Sequence, residues 1–184
     1  MGVINKIFGQ GFYRPHTKRG CHRSALANFF LVEGDSETAA KVFWGYPAHE
    51  FVGPEDATIQ ATTPKIVRDL TGHAYEATLY ADDRDLEERV RRSAYGKFNG
   101  KGEMLVKSVM EDMAAGNVRP LEEYKRNSDN ALYVLAHEYH GIAIGQWVTA
   151  IPEQDYFIDD GIVRRPLHTL EVFGVLSIRK NGTH

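Results

Sequence analysis

Apolar positions along this chain recur first at helical spacing and later at strand spacing. Ala25, Leu26, Phe29 and Phe30 share one helical period in the run from Cys21 to Val32, which ends before Gly34. A buried helix that begins at the cysteine is the expectation. Asp35 or Ser36 is placed to cap a second, short helix through Ala39, Ala40, Val42 and Phe43, closed by Gly45 and Pro47. Thr62-Thr63-Pro64 reads as an N-cap and first-turn proline for a third helix carrying Ile66, Val67 and Leu70 up to Gly72. Charged residues dominate a further expected helix over Asp83–Tyr95. Leu105, Val106, Val109, Met110 and Met113 form the stripe of another over Glu103–Ala115.

Strand patterns take over afterwards. Ala74–Tyr80, Leu132–Ala136, His140–Val148, Tyr156–Ile158 and Val175–Ile178 are rich in β-branched and aromatic residues and are separated by turn-forming residues. Asn117–Asn130 is a polar connector. Helices first and strands afterwards imply an α+β fold, with a helical N-terminal half packed on a C-terminal antiparallel sheet. A length of 184 residues suits one domain spanning the whole chain, 1–184.

The formal net charge of -3 lacks the basic footprint of a nucleic-acid binder. No run is apolar enough for a membrane span, and Met1–Gln10 shows no leader pattern, so the expected setting is cytoplasmic, without membrane association. Cys21 is the only cysteine, which excludes an internal disulfide and a cysteine-rich zinc site. His137 and His140 stand three apart where a strand begins, whereas a zinc-binding helix needs histidines four apart. No metal and no cofactor are expected.

The lone thiol therefore carries the chemical interest. At a helix start, behind Gly20 and near Lys18, Arg19, His22 and Arg23, unpaired backbone N–H groups and the helix dipole are expected to lower its pKa and to hold an oxyanion. His140 precedes the small-residue strand Gly141-Ile142-Ala143-Ile144-Gly145. Phe157-Ile158 then leads into Asp159 and Asp160, which antiparallel pairing is expected to bring beside His140. A thiol, an imidazole and a carboxylate gathered from distant segments are the parts of a cysteine acyl-transfer site.

Gly20-Cys21-His22-Arg23-Ser24-Ala25-Leu26-Ala27-Asn28 resembles the nucleophile helix of C39-like cysteine peptidases, and His140–Gly145 is similar to the base strand of papain-like enzymes. The resemblance implies a papain-like fold and a cysteine-type peptidase or amide hydrolase working through a thioester acyl-enzyme. It implies Cys21 as nucleophile, His140 as base, and Asp160, with Asp159 as the alternative, as the group orienting the imidazole. The family's oxyanion glutamine falls here near Pro15 and His16, so that donor is Gln10 or His16. His22 and Trp147 are expected to line the substrate groove, and the implied partner is a peptide or protein substrate. Two alternatives stand beside this reading: a related acyltransferase or transglutaminase-like enzyme, and a catalytically inactive papain-fold binding protein.

Overall fold

The computed structural model describes residues 11–15, 20–45, 57–81, 107, 110–125, 129–139 and 142–182, with the side chains of 57–62, 136–139, 142–145 and 173 excepted. Its elements are α1 (Cys21–Val32), α2 (Ser36–Ala40) running into a π-helical turn (Lys41–Gly45), and α3 (Ala57–Thr71). The strands are β1 (Tyr75–Ala81), β2 (Val118–Pro120), β3 (Ala131–Tyr139), β4 (Ile142–Ile151), β5 (Tyr156–Asp159), β6 (Ile162–Arg164) and β7 (Val172–Lys180). This is an α+β chain with a seven-stranded sheet in the order β2-β1-β7-β3-β4-β5-β6.

Helix α1 begins at the cysteine, as its apolar pattern predicts, and residues Ser24 to Phe30 are all buried. Its end is fixed by local chemistry: the Gly34 N–H donates to Leu31 O and the Asp35 N–H to Phe30 O. Gly34 adopts φ 81 there, a conformation that glycine enters at no steric cost. Asp35 then caps α2 through its carboxylate, which accepts from the Thr38 N–H at 3.0 Å.

Helix α3 departs from expectation. It starts at Ala57, and Pro64 lies inside it instead of in its first turn. An internal proline removes one backbone hydrogen bond; both Thr63 and Pro64 are buried, so packing against the core offsets that loss. The expected helix Asp83–Tyr95 lies outside the described residues. Of Glu103–Ala115, residues 107 and 110–114 are described and helical. Gly116 follows at φ 74.

The sheet is more mixed than the sequence suggests. β1 pairs antiparallel with the last strand, β7, and parallel with β2. The expected polar connector Asn117–Asn130 contains β2 and a short 3-10 helix, Leu121–Glu123. Alternation along the strands builds two apolar faces. Ala77, Leu79, Leu132, Val134, Trp147, Leu176 and Ile178 pack with α1 and α2. Tyr133, Leu135, Val148, Ala150, Phe157 and Val175 pack on the other face with Leu121, Tyr124, Leu167 and Leu170. Helix α1 is seated on β4 by a buried hydrogen bond from Thr149 Oγ1 to Ala25 O at 2.7 Å. Among the described residues no helix is long and apolar enough to cross a membrane.

Candidate functional site

Cys21 is the first residue of α1, behind Gly20, and its side chain is half-buried. Three backbone N–H groups, those of Trp147, His22 and Cys21 itself, act on the sulfur and favour thiolate. Burial outweighs them, and the Asp160 charge adds to burial, so the thiol pKa lies above its ordinary value. The expected depression of this pKa is therefore corrected. The helix start does supply N–H groups, but withdrawal from water and a nearby carboxylate win.

His22 does not face a groove. It is 3% exposed, its Nε2 lies 3.2 Å from Thr63 Oγ1, and its ring meets Trp147 edge-on at 4.5 Å. Burial pushes its pKa down to about 3, so the ring is neutral across the physiological range. Trp147 is likewise a core residue, and what it turns toward Cys21 is its backbone N–H.

The acids stand at the end of β5. β4 and β5 pair as Thr149↔Ile158, Ala150↔Phe157 and Ile151↔Tyr156, joined through the short turn at Pro152–Asp155. Continued to the end of β5, this register brings Asp159 and Asp160 beside the Gln146-Trp147-Val148 segment. The side chains agree: Gln146 Nε2 donates to Asp159 Oδ1 at 3.0 Å and to Asp160 Oδ1 at 3.2 Å. Asp159 is also paired with Arg164 at 3.1 Å. Asp160 sits at φ 48 in the β5–β6 turn, and burial together with the Asp159 charge raises its pKa.

His140, Gln10 and His16 lie outside the described residues. Tyr139 pairs with Ile142, and Ile142 lies five positions from Trp147 on β4, about 17 Å along an extended strand. The acids hold the Gln146 amide; the expected pairing of His140 with them falls outside the described residues. Sequence reading passed over Gln146 because an amide carries no acid–base signal. Counting back along β4 from the Pro152 turn was the available clue.

Among the described residues, no group of three or more His, Cys, Asp or Glu side chains is arranged to hold a metal ion. No family model matches the chain. Neither the curated proteins nor the solved structures contain a match.

Proposed function

We propose that this chain is a papain-like cysteine domain that binds a peptide or protein segment at the Cys21 locus, with the thiol held neutral and not used as a nucleophile. The observation that carries this reading is the double hydrogen bond from Gln146 to Asp159 and Asp160. In a cysteine hydrolase, a carboxylate at such a place orients a basic imidazole. An amide cannot take the thiol proton. The raised thiol pKa supports the same conclusion, because a thiolate is the attacking species.

A second reading, the cysteine peptidase or amide hydrolase with a Cys21–His140–Asp160 triad, is favoured by one observation. The backbone N–H groups of Trp147, His22 and Cys21 act on the sulfur and favour its thiolate, the form a nucleophile needs. It requires the His140 imidazole within reach of the thiol.

Alkylation by iodoacetamide at pH 6 separates the two. The binding reading expects Cys21 to react no faster than a free thiol, with no change in His140→Ala. Hyper-reactive alkylation that disappears in His140→Ala overturns it in favour of the hydrolase.

A further inference from the structure

Residues Phe12–Arg14, upstream of Cys21, are held on two sides. Asn28, on α1 and 1% exposed, closes a two-way clamp on Tyr13: the Tyr13 N–H donates to Asn28 Oδ1 at 2.8 Å, and Asn28 Nδ2 donates to Tyr13 O at 3.0 Å. The Tyr13 ring stacks on Phe43 at 4.3 Å, and Phe12 packs against Ile151 and Ile158. On the other side the backbone presses on the β5–β6 turn. A Cβ at Gly161 would stand 2.6 Å from Arg14 Cγ, 3.0 Å from Tyr13 O and 3.3 Å from Phe12 O. Gly161 also has φ 76, so glycine is required there both for its conformation and for the close approach.

Gly161 directly follows Asp160, which the β4–β5 register, continued, sets opposite Trp147, the residue whose backbone N–H acts on the Cys21 sulfur. Tyr13 and Cys21 also pack against the same core cluster. We infer that Asn28 is a positioning residue that holds Phe12–Arg14 as a strap against the Asp160–Gly161 turn, and that this strap limits access to Cys21. A buried asparagine suits the task because its amide presents a donor and an acceptor together, satisfying both polar groups of one backbone residue as a neighbouring strand would. The inference builds on the reading of the Cys21 locus as the ligand-binding region, but its geometry does not depend on whether hydrolysis takes place there.

The experiment measures two quantities in Asn28→Ala, Gly161→Ala and the parent chain: the rate at which iodoacetamide labels Cys21 without denaturant, and hydrogen exchange at the Tyr13 amide. A released strap labels Cys21 about fivefold faster or more and strips protection from Tyr13, while the α1 amides stay protected, as in local opening. Gly161→Ala lies in a turn outside the core and answers the question should Asn28→Ala fail to fold. Unchanged labelling in Gly161→Ala, or labelling whose denaturant dependence equals that of global unfolding, overturns the strap. The ratio of variant to parent rates tests the strap, whereas the parent's own rate at pH 6 tests the choice between binder and hydrolase. One inference can therefore fail while the other stands.

Discussion

Gln146 donates its side-chain amide to Asp160 at 3.2 Å while the backbone N–H of Trp147, the next residue, acts on Cys21. One short stretch of β4 thus meets both the carboxylates and the thiol, and the side chain that the carboxylates hold is an amide, which cannot act as a base. Gln146→Glu would add a third acid to this cluster; Gln146→His is the more informative change.

In Gln146→His, an imidazole takes the place of the amide against Asp159 and Asp160. We expect Cys21 alkylation at pH 7 to rise about tenfold, the effect of a thiol pKa lowered by roughly one unit. A pH–rate profile measured with iodoacetamide reads this directly. An unchanged profile would mean that position 146 does not communicate with the thiol.

His140→Ala tests the opposite assignment. Since the acids hold the Gln146 amide, the rate of Cys21 alkylation should stay within about twofold of the parent, which is within the ordinary variation of a thiol whose surroundings are untouched. A tenfold fall would favour the hydrolase, with His140 as its base.

His22 makes stability depend on pH. Its folded pKa of about 3 lies below the unfolded value of 6.5. Below pH 6.5 the unfolded chain therefore binds a proton that the folded chain excludes. The stabilisation is complete above pH 6.5 and is lost as pH falls toward 3, at up to about 1.4 kcal/mol per unit. Urea unfolding at pH 6.5 and pH 4.5 should differ by about 2–3 kcal/mol. In His22→Phe that difference should vanish, whatever the change at neutral pH.

Arg68 on α3 pairs with the buried Asp112, which also accepts from Asn117 Nδ2 at 3.0 Å. The pair ties α3 to the segment leading into β2. Asp112→Ala strands a guanidinium that is only 16% exposed, and should cost about 3 kcal/mol. Urea denaturation measures the loss. A change below 1 kcal/mol would show that water reaches Arg68 freely.

Much of the local architecture was legible before folding. The start of α1 at Cys21, the glycine stop at Gly34, the Asp35 cap and the cores of β3, β5 and β7 each follow from short-range sterics and periodicity, which neighbouring residues carry among themselves. The α+β class followed from the same signals. Pro64 marks the limit of that approach: it reads as a helix start, yet α3 runs through it because burial of its surroundings outweighs one backbone bond.

By itself, then, the sequence determined which segments are helical or extended and singled out one thiol at a helix start. Only the tertiary structure decided which side chain the acids hold, that burial raises the thiol pKa, and that β1 pairs with β7. The reason is physical. Strand register, desolvation and the field of a distant carboxylate are set by groups far apart in the chain, and a shift of one residue in pairing turns a side chain to the opposite face of the sheet.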